Sequence, residues 1–367
     1  MNKKIIFFIP NIDDGGIEKN LILLSNYFIK KNYDVEIIFS RISSKISSQI
    51  NHKIIYKKAI KYFEFNFLND RINNAINCFI FFLFKIKTTK NSLIFSMQDH
   101  PFGIILSKIK NIPCIIRIAN HPVSSLRFFN TYFKYRLKLF IKFFFYHFAS
   151  IIICNSKESS NYFKNSFLFK KKIFTIYNPI LPKKVISKHK RNKYELLTIG
   201  RLEKQKNLEG LIKAFTIVQK KIPKLRLTIV GKGSKKKSLK NLAINLKIKK
   251  YVIFKNFSKP DIFYKQKGIF ILNSFFEGLP NVLIEAMQYK IPIISSKCQS
   301  GPKEILKNGK YGYLSLVDNE FDLAKKIEYV ISNYSKALVK SKSGIKSLKR
   351  FSIEEQCQKY FKIIKNL

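Results

Sequence analysis

Apolar and polar positions follow one rhythm along most of this chain. Short apolar runs bounded by polar loops alternate with longer stretches in which apolar residues recur every three or four positions. The short runs read as strands buried on both faces, and the periodic stretches as helices laid against them. Residues 4–9 (KIIFFI) open the series as a strand, followed by a helix from Ile17 to Lys30 with Leu21, Leu24 and Phe28 on one face, and a strand from Val35 to Phe39. Ile54-Ile55 has the look of a short strand, Arg71 to Lys87 of an apolar helix, and Leu93 to Ser96, Pro113 to Ile118 and Ile151 to Asn155 of further strands. A polar, charged stretch from Leu181 to Lys193 interrupts the rhythm and reads as a linker. The alternation then resumes: strand Glu195–Ile199, helix Leu208–Lys220, strands Leu225–Val230, Val252–Phe257 and Ile269–Leu272, helix Val282–Tyr289, strand Ile291–Ser295, and a turn and strand over Gly309–Leu314. Asn319 to Leu367 is polar and helical. Strand–helix alternation predicts an α/β chain with parallel sheets, and 367 residues suit two such domains.

The stretch from Ile269 to Leu306 carries the most chemistry. Glu277 precedes the sharp loop Gly278-Leu279-Pro280-Asn281, and Glu285 follows one turn into the next helix. Gly278 lets a backbone approach a ligand closely, and Pro280 pre-sets a helical φ at the helix start. The first N–H groups of that helix, from Asn281 and Val282 onward, point out of the carboxyl edge of the sheet, where open α/β sheets bind ligands. Two further strand ends look similar. Gly200-Arg201 and Lys206 follow one strand, and Gly231-Lys232-Gly233 follows the next. Near the amino terminus Gly15-Gly16 sits at a strand-to-helix turn without the full GxGxxG pattern, so a dinucleotide is not indicated.

The context FEGLPNVLIEAM, with two Glu separated by seven residues, together with GRLEKQKN at residues 200–207, resembles the retaining glycosyltransferases of family 4. That resemblance covers essentially the whole chain and is most specific over residues 195–306. It implies a GT-B fold: two Rossmann-like domains facing a central cleft, with a carboxyl-terminal helix crossing back to the first domain. The expected boundaries are 1–185 for the acceptor-binding domain, 186–345 for the nucleotide-sugar domain and 346–367 for the returning helix. The resemblance also implies roles. Arg201 and Lys206 hold the donor diphosphate. Glu285 accepts hydrogen bonds from the ribose, and Glu277 binds the transferred sugar, helped by backbone N–H groups of Gly278, Leu279 and Asn281, with Pro280 and Val282 also at the donor. Gly16, Gly200 and Gly231 lie beside the donor, and the strand end at Phe254 to Phe257 meets the base through its backbone. His121, at the end of a first-domain strand, matches the residue that touches the donor sugar near its anomeric carbon, with Asn120 in reserve. A UDP-sugar is the implied donor, a glycan or polyprenyl-linked acceptor the implied partner, and no metal or other cofactor is implied.

Composition changes this picture in one respect. The formal net charge is +48, with 61 Lys against 9 Arg and no Trp. The abundance of Lys, Asn, Ile and Phe resembles an AT-rich coding bias, but such a charge also draws the protein toward anionic partners. Leu126 to Phe148 interleaves aromatic side chains with Arg127, Lys134, Arg136, Lys138 and Lys142 at helical spacing. It reads either as a core helix with snorkelling Lys or as a face that lies on an anionic membrane. An alternative for the whole chain is a basic nucleic-acid- or membrane-binding protein with a degenerate GT-B core, but no nucleic-acid motif accompanies the charge. The five Cys are scattered without a CxxC pair, which argues for a reducing compartment and against a disulfide frame or zinc site. No signal-peptide h-region and no spanning segment is evident, so the expected location is the cytoplasm, peripheral on the inner membrane's cytoplasmic face.

Overall fold

The computed structural model describes residues 3–13, 15–43, 51–98, 100–129, 131–166, 172–183, 191–256 and 260–367. Residues 184–190 of the expected linker, and Phe257 at the expected strand end, lie outside the described residues. The chain divides into two compact units, Met1–Ile180 with Phe351–Leu367, and Leu181–Arg350.

The first unit contains β1 (Lys4–Phe8), β2 (Asn11–Ile12), α1 (Gly16–Lys30), β3 (Asp34–Phe39), β4 (Arg41–Ile42), β5 (Ile55–Lys58), α2 (Asp70–Lys85), β6 (Ser92–Ser96), α3 (Pro101–Ile109), β7 (Cys114–Ile118), α4 (Pro122–Phe129), α5 (Tyr132–His147), β8 (Ile151–Cys154), α6 (Lys157–Lys164) and β9 (Lys172–Thr175). Its main sheet is parallel, in the order β5-β3-β1-β6-β7-β8-β9. Both faces are buried, which explains the unbroken apolar runs. Ile5 and Phe7 join Leu21, Leu24 and Phe28 of α1 on one face. Ile6 and Phe8 join Cys78 and Phe82 of α2 and Ile104 of α3 on the other.

One expectation is corrected here, and one helix is added. Leu126 to Phe148 is not one helix: α4 ends at Phe129 and α5 begins after Thr131. Pro101 opens α3, a helix the periodic reading left unnamed; a Pro at the first helical position leaves only an N–H missing that would have no partner anyway.

The second unit contains β10 (Asn192–Ile199), α7 (Leu208–Lys221), β11 (Arg226–Val230), α8 (Lys236–Asn245), β12 (Val252–Lys255), α9 (Pro260–Gln266), β13 (Lys267–Leu272), α10 (Asn281–Gln288), β14 (Ile293–Ser296), α11 (Pro302–Ile305), β15 (Tyr313–Ser315), α12 (Glu320–Ser332) and α13 (Tyr334–Ser343). Its sheet is also parallel, in the order β12-β11-β10-β13-β14-β15. Leu211, Phe215 and Val218 of α7 pack on Leu227, Ile229 and Ile269, and α12 adds Leu323, Ile327 and Val330 to the same core.

The last helix, α14 (Ile353–Lys365), is part of the first unit. Ser352 caps it by accepting from Glu355 N at 3.3 Å. Cys357, Tyr360 and Ile364 sit in the core beside Phe95, with the Tyr360 and Phe95 rings 5.6 Å apart. Arg117, buried on β7, donates from Nε to the Tyr360 hydroxyl at 3.1 Å and from Nη2 to Asn178 Oδ1, while Tyr177 N donates to Gln356 Oε1 at 2.9 Å. The Asn178-Pro179 stretch and the terminal helix are thus stitched to the same strand. All five Cys are buried and free. Among the described residues no helix is long and apolar enough to cross a membrane.

Candidate active site

The second unit gathers most of the expected site at the carboxyl ends of β10, β11, β13 and β14. Gly200, just past β10, donates from its N to Val230 O at 3.0 Å, and Leu202 N donates to Lys232 O at 2.8 Å, so the loops after β10 and β11 run side by side. Gly231 has to be glycine: an added Cβ would lie 1.9 Å from the Gly200 carbonyl oxygen. Thr198, Gly200, Arg201, Lys206, Val230 and Asn273 are among the residues lining a small pocket at these strand ends.

The short turn Lys204–Lys206 brings the two cations to this edge. Asn207 follows in the left-handed region (φ 44°) and caps α7, its Oδ1 accepting from Gly210 N at 3.2 Å. Arg201 is exposed and donates from Nη2 to Gln205 Oε1 at 3.1 Å. Lys206 is instead engaged. Its Nζ lies 2.5 Å from Glu277 Oε1, with only 13 % of the Lys206 side chain and 7 % of the Glu277 side chain exposed. Ser274 Oγ donates to the same oxygen at 2.5 Å, and Ser296 Oγ holds the Ser274 carbonyl at 2.7 Å. A buried carboxylate needs partners of this kind, because burial without them costs several kcal/mol, on the order of 3–5 for a broken pair.

Gln205 was not singled out by the sequence reading. Its Nε2 donates to Phe276 O at 2.8 Å, and its own carbonyl accepts from Phe275 N at 2.9 Å. One buried amide therefore ties the Arg201–Lys206 loop to the loop that carries Glu277. A polar residue between two Lys gives no sequence signal for such a role.

Gly278, Leu279 and Pro280 are buried, and Asn281 and Val282 half-buried, at the start of α10. Pro280 occupies the N-cap with extended backbone (φ −72°, ψ 107°) rather than the first helical turn, and α10 has no side-chain cap. The Gly278 carbonyl is held from behind. Ser300 Oγ lies 3.4 Å from it, and a Cβ at Gly301 would lie 2.0 Å from it. Glu285, half-buried on α10, receives the buried Tyr264 hydroxyl at 3.3 Å. Phe254, on β12, packs its ring against the core.

Gly16 and His121 belong to the first unit. Gly16 is the first residue of α1, behind an extended Gly15 at the N-cap. His121 is 1 % exposed, its ring edge-on to Tyr162 at 5.3 Å and its Nδ1 3.2 Å from Ser124 Oγ. Its Nε2 has no partner among the described residues. Burial holds its pKa below the ordinary imidazole value, against the opposing pull of Glu158, so the ring is neutral near pH 7.

Residues 182–347 match the family model described as glycosyl transferases group 1. A Campylobacter jejuni protein named as an α-1,4-N-acetyl-D-galactosaminyltransferase acting on a GalNAc-GalNAc-diNAcBac-PP-undecaprenol is 27 % identical, with 99 % of each chain covered. An uncharacterized glycosyltransferase of Methanocaldococcus jannaschii is 32 % identical over 55 % of this chain and 53 % of its own, and one of Haemophilus influenzae is 34 % identical over 44 % and 46 %. The chain thus spans about half the length of these last two relatives. Among solved structures, Anabaena Alr3699/HepE in complex with UDP and glucose superposes with a TM-score of 0.80 at 19 % identity, covering 100 % of both chains. The pneumococcal O-GlcNAc transferase GtfA in complex with UDP and GlcNAc does so at 0.79 and 14 % identity, covering 100 % of this chain and 99 % of the other. Two parallel-sheet units, a terminal helix in the first of them and these matches lead to one conclusion: the chain has the GT-B fold, and residues 182–347 within it are similar to the group 1 glycosyl transferases.

Proposed function

We propose that this protein is a retaining, family 4 glycosyltransferase that moves a hexose or N-acetylhexosamine from a UDP-sugar to a glycan or polyprenyl-linked acceptor in surface polysaccharide or glycan assembly. The observation that carries this reading is the grouping of Arg201, Lys206, Glu277 and the Gly278 loop at one carboxyl edge of the second sheet. Cations there answer the charge that grows on the leaving diphosphate as the sugar–oxygen bond breaks. The acceptor hydroxyl attacks the anomeric carbon on the face the UDP leaves, and the departing phosphate oxygen takes its proton. Glu277, ion-paired with Lys206, meets the sugar hydroxyls, and Glu285 the ribose. His121 is a neutral imidazole and serves as a hydrogen-bonding contact to the sugar, not as a cation. Metal plays no part in this scheme. The Campylobacter relative's printed name, with its undecaprenol-linked substrate, supports the lipid-linked acceptor, and the UDP in the Anabaena structure supports the donor. Incubation with UDP-GalNAc, UDP-GlcNAc, UDP-glucose and UDP-galactose, with a polyprenyl diphosphate-linked glycan, is expected to give an α-linked product from one of them. No turnover of any donor, together with salt-dependent RNA binding, would instead favour a binding protein on a degenerate core.

The first unit adds a peripheral membrane role to the proposal. On α5 only Phe143 and Tyr146 are buried, while Tyr132, Phe133, Leu137, Phe140, Ile141 and Phe144 are exposed among Lys134, Arg136 and Lys138. A second aromatic element stands on the segment before α2. Asn73 and Asn77 clamp its backbone, their Oδ1 atoms accepting from Phe65 N at 3.2 Å and Phe63 N at 3.0 Å, so that Phe63, Phe65 and Phe67 remain exposed. Exposed apolar area this extensive, mixed with Lys, fits the headgroup region of an anionic bilayer. Each basic side chain near such a surface contributes about 1 kcal/mol. Replacing Lys134, Lys138 and Lys142 together by Gln is therefore expected to lower partition onto phosphatidylglycerol vesicles by about 100-fold at low salt, read by co-sedimentation. Unchanged pelleting would return α5 to a role in packing alone.

A further inference from the structure

Tyr264 lies on α9, directly before β13, and the sequence reading passed over it. It is 0 % exposed although it carries a hydroxyl, and a buried hydroxyl is costly without a partner. That hydroxyl lies 3.2 Å from Val282 O and 3.3 Å from Glu285 Oε2. Both acceptors belong to the first turns of α10, the element that follows the Gly278 loop. The Tyr264 ring cannot swing away. It stacks on Tyr289 with centroids 5.1 Å apart at 17°, and Phe270 of β13 lies 5.6 Å off at 49°. Burial first, and then the nearby Asp261 carboxylate one turn before Tyr264 on α9, hold the Tyr289 phenol above its ordinary pKa. Burial holds the Tyr264 phenol well above its ordinary pKa, with the Glu285 carboxylate adding to the effect, so the hydroxyl keeps its proton.

We infer that Tyr264 is a positioning residue: it fixes one oxygen of Glu285, so that the carboxylate is pre-set to receive the ribose hydroxyls of the donor. This rests on the proposal that Glu285 meets the ribose. The physical reason is preorganisation. A half-buried Glu on a helix has several rotamers, and a ligand that must select one of them loses affinity in proportion. A rigid donor at Oε2 removes that selection before the nucleotide arrives. The single hydroxyl proton is shared between Oε2 and the Val282 carbonyl of α10, so the same group braces both the carboxylate and the helix that bears it.

The test compares UDP with its 2′,3′-dideoxy analogue by titration calorimetry, for wild type, Tyr264→Phe, Glu285→Ala and the double variant. Tyr264→Phe removes one oxygen and keeps the stacked ring. It is expected to weaken UDP by about 5- to 10-fold, the worth of one ordinary hydrogen bond. It is expected to leave the dideoxy analogue nearly unchanged, and to have little further effect once Glu285 is Ala. Equal weakening of both nucleotides would mean a merely structural Tyr264 and would overturn the inference. So would a Tyr264→Phe protein that binds UDP like wild type while Glu285→Ala binds it poorly. If Glu285→Ala itself binds UDP normally, the ribose assignment fails first, and the role of Tyr264 falls with it.

Discussion

Lys206→Ala is expected to cost both stability and turnover, because it removes a cation from the donor edge and strands a buried carboxylate. Among the described residues Glu277 keeps only the Ser274 hydroxyl once Nζ is gone, and its side chain is 7 % exposed. Breaking a buried pair from one side costs about 3–5 kcal/mol, and the partial exposure of Lys206 places this case near the lower end, about 3. Turnover is expected to fall by about 100- to 1000-fold, the usual effect of deleting one preorganised group that answers transition-state charge. Adding Glu277→Gln to Lys206→Ala separates the two effects. With no unpaired charge left to bury, most of the stability is expected to return, while turnover stays low. Urea unfolding and kcat/KM on wild type, Lys206→Ala, Glu277→Gln and the double variant measure this. A Lys206→Ala protein as stable as wild type would show that water screens the pair. Recovery of turnover in the double variant would mean that Lys206 serves Glu277 alone and not the diphosphate.

Arg201→Ala is expected to behave differently. The Arg201 guanidinium is exposed and has one arm on Gln205, so its loss is expected to change stability by no more than about 0.5 kcal/mol. Turnover is expected to fall by about 100- to 1000-fold, and more in kcat than in UDP affinity, because phosphate charge grows only as the bond to the sugar breaks. Arg201→Lys keeps the charge but not the planar fork that, in the proposed scheme, reaches the phosphate oxygens from beside Gln205, so its recovery is expected to be partial. Wild-type turnover is expected to persist in chelator, since in the proposed scheme Arg201 and Lys206 supply the cations. Activity lost in chelator and restored by a divalent ion would replace this scheme with metal-assisted departure. Near-normal turnover in Arg201→Ala would remove the residue from the mechanism.

Much of the fold was legible in the chain because a parallel sheet buried on both faces writes itself as unbroken apolar runs. Residues 4–9, 195–199 and 269–272 show it, and each became a central strand. Glycines were legible for a related reason. Gly231 stands where two loops touch backbone to backbone, and only a residue without a side chain fits there. What periodicity missed was short or interrupted: α3 opens on a Pro, α9 has seven residues, and α4 and α5 part at a break that two aromatic-rich helical patterns conceal.

By itself, then, the sequence determined the strand–helix alternation, the two-unit plan and the placement of Arg201, Lys206 and Glu277 in the loops after strands, with Glu285 one turn into the helix that follows. All of these follow from patterns that repeat within about ten residues. Only the tertiary structure decided which of those groups meet. Lys206 and Glu277 pair across 71 positions, Gln205 reaches Phe276 across 71 and Tyr264 reaches Glu285 across 21. No local period encodes such contacts. They arise because the parallel order β10-β13-β14 brings loops from distant parts of the chain to one edge, where burial obliges each polar group to find a partner. The same holds for α14. Its helical character could be read from the chain, but it was the Arg117–Tyr360 contact and the core around Phe95 that made it part of the first unit.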